Sequence, residues 1–322
     1  MRLANIFQLG VVLAATTFAA GTVRADYPEQ PIRLVVPFSP GGGNDIAGRL
    51  LAKHLAPLLG ASIVVENRPG AGGNVGLRSV AHSKPDGYTI GYISNGVVMN
   101  PYLYKEVGFD IQKDFDPVAA HLQMPIWIVA RPQLGITSLK DLLVQAKARP
   151  GVLTYATPGI GTPHHMGMEL LQSMADVKFT HIPYKGASGA LTDTLGGQVD
   201  FLIATPASVA SQVKAGQLIG LATMDATPDP DMPNLPPVAD TVPGFSNATW
   251  HGLVVPNGTD PARIEKVAKA LESALATPEL QNEMKAAGFN PFFEGPDALR
   301  TRIAKELEVW RDVTRRAGIQ PE

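Results

Sequence analysis

Two stretches of the chain carry residues suited to holding a negative charge. The first, Pro37-Phe38-Ser39-Pro40-Gly41-Gly42-Gly43-Asn44-Asp45, joins the apolar run Leu34-Val35-Val36 to an amphipathic segment. Glycines let the backbone curl so that successive N–H groups face one point. A helix start adds unpaired N–H donors and the positive end of its dipole. A carboxylate or phosphate is the expected guest. The competing reading is an ordinary strand-to-helix connection with Asn44 or Asp45 as N-cap, and the cap is the more common role for an Asp there. The second stretch, Ala156-Thr157-Pro158-Gly159-Ile160-Gly161-Thr162-Pro163-His164-His165, repeats the design far along the chain. Pro163 suits the first helical position, Thr157 and Thr162 bring hydroxyls, and His165 reads as a helix-start donor.

Other chemistries fail on spacing. A dinucleotide fingerprint would need glycine at Ile46 or His164, and no glycine loop continues into the Lys-Ser/Thr of a P-loop. Gly186-Ala187-Ser188-Gly189 ends on Ala190, where a nucleophile elbow needs glycine. His164, His165 and His181 lack a carboxylate at ligand spacing, so neither a metal nor any other cofactor is expected. Lys185 and Arg68 are candidate anion partners or simply solvated, and Phe38, Trp127, Tyr184 and Trp250 are cleft or core. Magnitudes favour two loops acting together. A charge-assisted hydrogen bond contributes about 1.5–3 kcal/mol, whereas association costs on the order of 4–15 kcal/mol.

The elements that must position these loops alternate. A strand at 32–36 enters the first loop, and the helix that follows places Ile46, Leu50, Leu51, Leu55 and Leu58 at three- and four-residue spacing up to Leu59-Gly60. Strands at 63–65 and 88–93 follow, the latter ending at Ser94-Asn95-Gly96. An apolar run from Phe115 to Val129, broken by Pro125, reads as a crossing into a second unit. There the pattern restarts, with a helix opening on Ser138-x-x-Asp141, a strand at 152–155, the second loop, and strands at 199–204 and 218–223. A proline-rich segment, 225–243, leads back to a strand near 253–255 and to helices after Asp260, Pro278 and Pro296. This alternation predicts open, largely parallel sheets covered by helices.

Residues 1–25 read as a secretory leader, with Arg2, the apolar segment Leu9–Phe18 and the ending Val23-Arg24-Ala25. The chain has no cysteine, hence no lipid-anchoring thiol and no disulfide. Its formal charge is -2; after loss of Arg2 and Arg24, 25 basic residues against 29 acidic ones leave -4. No basic stripe calls for nucleic acid. Two domains are expected from the length, residues 26–124 with 250–322 and residues 125–249, joined by two crossings around a hinged cleft.

Taken as an ordered set, the two glycine stretches resemble the Bug family. The rest of the set is Glu66-Asn67-Arg68-Pro69-Gly70-Ala71-Gly72-Gly73, Asp86-Gly87-Tyr88-Thr89, His181-Ile182-Pro183-Tyr184-Lys185-Gly186 and Gly197-Gln198-Val199-Asp200. These are periplasmic receptors of tripartite tricarboxylate transporters, and the likeness spans the chain after the leader. It implies a periplasmic binding protein of the Venus-flytrap kind, two α/β domains with crossing strands and a central cleft. It also implies a monomer without enzymatic activity. The partners it implies are a small organic acid (a di- or tricarboxylate or an aromatic carboxylate) and the transporter's membrane subunits. By position, the ligand-binding residues it implies are Phe38, Ser39, Gly41, Gly42, Asn44, Asp45, Asn95, Thr157, Gly159, Gly161, Thr162, His165, Ala204 and Thr205. Family members that hold amino acids tend to show an Asp after the strand following Gly-x-Val-Asp; here Ala204-Thr205 stands instead, which implies a ligand without an ammonium group. Service as a sensor for a two-component system would use the same cleft. A secreted hydrolase is disfavoured, since no nucleophile and base are identifiable.

Overall fold

In a computed structural model the chain is described for residues 27–184, 186–225, 228–229, 232–247 and 249–321; the leader read at 1–25 and Lys185 lie outside them. The first stretch of chain forms β1 (Ile32–Val36), α1 (Gly43–Leu59), β2 (Ile63–Asn67), α2 (Asn74–Ala81), β3 (Thr89–Ser94), α3 (Gly96–Leu103) and β4 (Phe115–Met124). After Pro125-Ile126 come β5 (Trp127–Ala130), α4 (Leu139–Ala148), β6 (Thr154–Thr157), α5 (Pro163–Ala175), β7 (Thr180–Pro183), α6 (Ala187–Leu195), β8 (Phe201–Ala204), α7 (Pro206–Lys214) and β9 (Ile219–Thr223). The chain ends in β10 (Thr249–Pro256), α8 (Pro261–Leu275), α9 (Pro278–Ala286), β11 (Asn290–Glu294) and α10 (Pro296–Ala317).

Two sheets result, ordered β11-β4-β10-β3-β1-β2 and β7-β6-β8-β5-β9. The expectation of largely parallel sheets needs correction at the strands that cross. β1 runs parallel to β2 and β3, but β10 is antiparallel to β3 and β4, and β11 to β4. In the other sheet β6 is parallel to β7 and β8, while β5 is antiparallel to β8 and β9. β5 and β10 each follow a crossing. A chain arriving from the neighbouring lobe enters its sheet at the hinge end, opposite to the end at which a βα unit delivers its strand.

Local sequence explains the elements that position the site. α1 buries Ala47, Leu51, Leu55 and Leu59 at helical spacing and stops at Gly60, whose φ of 70° is left-handed. A Cβ on Gly48 would sit 2.8 Å from Val36 Cγ2, so glycine there lets α1 lie close upon β1. α4 and α8 are capped by Ser138 and Asp260, as their sequences suggest. Three elements escaped the sequence reading. α3 is apolar nearly all round, with Val97, Val98 and Met99 buried and Pro101 inside, so it shows no amphipathic period. β7 and β11 are short edge strands, each containing proline. Trp127 and Trp250, left open between cleft and core, are buried at 1% and 0% exposure; their indoles donate to Asp229 (3.1 Å) and Glu306 (2.9 Å).

β4 also carries His121, wholly buried, with neither ring nitrogen partnered among the described residues; its ring lies edge-on to Tyr92 at 5.2 Å. A neutral imidazole always carries one N–H and one lone pair, and leaving such groups bare costs about 1–3 kcal/mol. His121→Leu is therefore expected to raise stability by roughly 1 kcal/mol, read as a higher denaturant midpoint at unchanged m-value. A lower midpoint would show that the ring's packing outweighs its desolvation.

Candidate functional site

The first glycine loop leaves the end of β1 and turns into α1. Its helix is capped by Gly42, not by Asn44 or Asp45 as expected, and glycine offers no side chain to cap with. Asp45 lies in the first turn and reaches back instead. Its Oδ2 accepts from Gly41 N at 2.9 Å and from Arg49 Nε at 3.0 Å, and its Oδ1 accepts from Asn67 Nδ2 at 2.8 Å. Burial alone raises the Asp45 carboxyl, but the hydrogen bonds from Arg49, Gly41 and Asn67 outweigh it and hold the group below the usual carboxylate value. Asp45 is thus a strut, 3% exposed, with no face offered to a ligand.

Asn67 also donates to Phe38 O at 3.1 Å and accepts from Arg49 at 3.1 Å, so it ties the loop at two points. The sequence reading passed over Asn67 and Arg49 as site residues. The signal was available: Val36 and Asn67 are register partners at the ends of parallel neighbours, so whatever follows one strand faces whatever follows the other. The outcome is a loop whose Ser39, Gly41, Gly42 and Gly43 are exposed while its frame is fixed. A Cβ on Gly41 would meet nothing within 4 Å, so the loop faces open space. The first-turn N–H groups of Gly43 and Asn44 have no intrahelical acceptor and no side-chain cap.

The second glycine loop is held in a different way. Thr162 caps α5, its Oγ1 accepting from His165 N at 3.4 Å and donating to Gly159 O at 2.8 Å. Thr157 is fully buried, and its Oγ1 lies 2.7 Å from His181 Nε2 and 3.2 Å from Gly159 O. Both hydroxyls therefore shape the loop from within. His165 corrects its expected role: Nδ1 accepts from Gly161 N at 3.2 Å, which puts the ring proton on Nε2, 3.7 Å from Glu169 Oε1. His165 stacks on His181 (4.3 Å between centroids, 15°), and His181 stacks on Tyr155 (4.7 Å). Burial pulls His165 down to about 4, with His181 adding to the effect, and burial likewise pulls His164 and His181 to about 4. The loop consequently carries no imidazolium at neutral pH.

The remaining predicted residues open two further helices. Asn95 precedes α3 and Thr205 precedes α7, neither capping with its side chain; Thr205 Oγ1 lies 3.2 Å from Ser208 Oγ and Ala204 is buried at the end of β8. Two contacts reach across the halves near the loops, and a third lies within the first half. A Cβ on Gly161 would lie 3.6 Å from Leu103 at the end of α3, one on Gly288 3.5 Å from Ala207 at the start of α7, and one on Gly43 3.8 Å from Phe289. Leu103 and Phe289 are thus neighbours of the loops that the sequence reading missed, because they come from elements it did not relate to the loops; Ala207 meets Gly288, beside Phe289. Of the predicted residues, Asn95 lines a cavity of 660 Å³; neither that cavity nor those of 280 and 390 Å³ is lined by a glycine loop. Arg68 is engaged by Glu66 at 2.5 Å. His54, Glu279 and Glu283 converge, but Lys53 Nζ already sits 2.6 Å from Glu283, as befits an ion-paired surface and not a metal centre.

Comparison with known proteins places this geometry in a family. The protein BugT of Bordetella pertussis is 33% identical over 313 residues, covering 96% of each chain. The solved structure of the periplasmic binding protein BugD is 33% identical with a TM-score of 0.70, covering 92% of this chain and 100% of that one. The Rpa4515 protein of R. palustris, solved with adipate, is 31% identical with a TM-score of 0.73 at the same coverage. The family described as "Tripartite tricarboxylate transporter family receptor" matches residues 47–319, and the fold is the two-domain α/β architecture of periplasmic binding proteins. The chain belongs to the tripartite tricarboxylate transporter receptor family, as a solute-binding protein of the Bug type.

Proposed function

We propose that this protein captures a small organic acid by its carboxylate, between the loop at 38–45 and the loop at 157–165, and delivers it to the membrane subunits of a tripartite tricarboxylate transporter. On this reading it works in the periplasm as a monomer, without catalysis, through closure of a domain made of residues 26–124 and 250–322 upon one made of 125–249. The observation that carries the proposal is the start of α1: an exposed, uncapped helix N-terminus whose glycine loop is braced from behind by Asp45 and Asn67. Such a turn is pre-organised for an anion, since its N–H groups need no rearrangement to converge on one. Adipate in Rpa4515 supports a dicarboxylate as the ligand class. Ala204-Thr205 at the end of β8 provides no carboxylate for an ammonium group, which favours plain acids over amino acids.

A thermal-shift screen of mono-, di- and tricarboxylates tests this. A true ligand at 100 times its Kd stabilises by about 2.7 kcal/mol. Gly161 sits at φ +73° beside Leu103, so Gly161→Val is expected to strain the second loop and reduce affinity for the hit at least tenfold while the apo protein stays folded. Failure of every acid to shift the transition, or a hit indifferent to both loops, would sink the assignment.

A further inference from the structure

A cavity of 660 Å³ is lined by no residue of either glycine loop, although Asn95 and Asn247, the latter bonded to Pro163, lie on its wall; α10 walls it on one side and α5 with residues 244–247 on the other. Its chemistry is unlike theirs. Three charged side chains meet on its α10 and β11 wall: Arg302 Nε pairs with Glu294 at 2.6 Å, and Arg302 Nη1 lies 3.7 Å from Glu306. Two carboxylates therefore share one guanidinium, a local -1 on this wall once Glu306 ionises, while Lys305, Asp312 and Arg316 bring the whole lining to neutral. Both oxygens of Glu306 face the single Trp250 N–H, at 2.9 and 3.0 Å. Burial raises its carboxyl to about 7, with Glu294 adding to the rise and Trp250 and Arg302 opposing it.

Asn247 supplies the independent observation. It is 3% exposed and lines the cavity, and its Oδ1 has no partner among the described residues. Its orientation is fixed, because Nδ2 donates to Pro163 O at 3.0 Å and only the amide nitrogen can do so. A buried bare acceptor costs about 1–3 kcal/mol, a cost relieved by a donor placed in the cavity. Leu170, Met174, Val309 and Val313 give the same space an apolar lining.

The geometry points to a second binding site, distinct from the carboxylate site, that takes an amphipathic organic cation: an ammonium whose N–H donors reach Glu306 and Asn247 Oδ1, with its hydrocarbon body against Leu170, Met174, Val309 and Val313. The other charged residues of the wall, Lys305, Asp312 and Arg316, are all on α10, and Arg316 is engaged with Ser173 at 3.1 Å; α5 and residues 244–247 bring no charge to the lining. Because α5 and α10 belong to opposite halves, an occupant bridges them.

Isothermal titration of the purified chain with phenethylammonium at pH 8, against 2-phenylethanol, tests the site. The expected result is one-to-one binding of the amine, at least tenfold weaker binding of the alcohol, and about tenfold weaker amine binding at pH 6, where Glu306 is protonated. Glu306→Gln keeps an acceptor for the Trp250 N–H and is expected to weaken the amine at least tenfold; should that variant not fold, the pH comparison on the unaltered chain carries the test. Equal binding of amine and alcohol, no binding of the amine, or an unchanged affinity in Glu306→Gln overturns the proposal. Organic-acid binding measured on amine-free samples of the same preparations reports on the glycine loops, so the two readings fail separately.

Discussion

Asp45→Ala is expected to weaken binding of the proposed organic acid by about 100-fold and to destabilise the protein by roughly 2–4 kcal/mol, although the Asp45 carboxylate is buried and engaged within its own loop. The carboxylate accepts from Gly41 N, Asn67 Nδ2 and Arg49 Nε. Removing it strands the first two donors, and hydrogen bonds to a charged group are worth about 1.5–3 kcal/mol each. The Arg49 ion pair adds little, since that side chain is 54% exposed and screened. With the strut gone the loop must order itself upon binding, and the entropy of fixing even one or two residues, about 1–2 kcal/mol each, accounts for most of the lost affinity. Denaturant melts and calorimetry on Asp45→Ala and Asn67→Ala check this together, because both remove struts of one frame and should lose affinity alike. Full affinity in a destabilised Asp45→Ala would mean that the loop holds its shape without the brace.

Acid should weaken the fold well before most carboxylates titrate. Burial lowers His164, His165 and His181 to about 4 and His251 to about 3, and lowers His121 well below its ordinary value. Between about pH 6.5 and 4 these rings are neutral in the folded chain but protonated once it unfolds. The stability they represent is complete above pH 6.5 and is lost as pH falls through that window. Asp225 and Glu306, raised by burial to about 7, and Glu169, also raised by burial, act in the opposite direction over the same range, since the folded state holds their protons more firmly. With His164 and His181 counted at a discount for their partial exposure, the unfolded chain takes up roughly two more protons than the folded one. That amounts to about 3 kcal/mol per pH unit. Melting curves from pH 8 to 4 should be level down to about 6.5 and then fall steeply. A level profile between pH 7 and 5 would contradict the neutral, buried state of the histidine cluster.

Much of the fold was legible from local signals: the starts of the last three helices at Asp260-Pro261, Pro278 and Pro296 lie where their chemistry puts them. The stripe of α1 was legible only in part, because Leu51 and Leu55 are buried while Ile46 and Leu58 stand 41% and 49% exposed and Ala47 and Leu59 fill the buried face instead. The reversal of β5 and β10 was not legible, since strand direction depends on which end of a sheet the chain enters, and no residue type records that. α3 lacked a polar face from which a period could be read. At the site, residue types pointed to loops suited to an anion, but not to which atoms are spent holding the loops. Asp45 and His165 look alike in sequence as ligands, yet both are occupied by backbone N–H groups of their own loops, Gly41 and Gly161. Asn67 was invisible for the complementary reason, because its role follows from β1 and β2 being neighbours in parallel register.

The placement of β10 and β11 sets the order in which the molecule is completed. The six-stranded sheet has β4 between them, and both are encoded after the whole of the five-stranded sheet. A chain appearing N-terminus first can therefore finish the lobe of residues 127–223 as one unbroken stretch, while β3 and β4 wait with bare flanks until residue 249 and beyond appear. The earlier-made lobe is the later-finished one, and a truncation before β10 would strand it with unpaired edges.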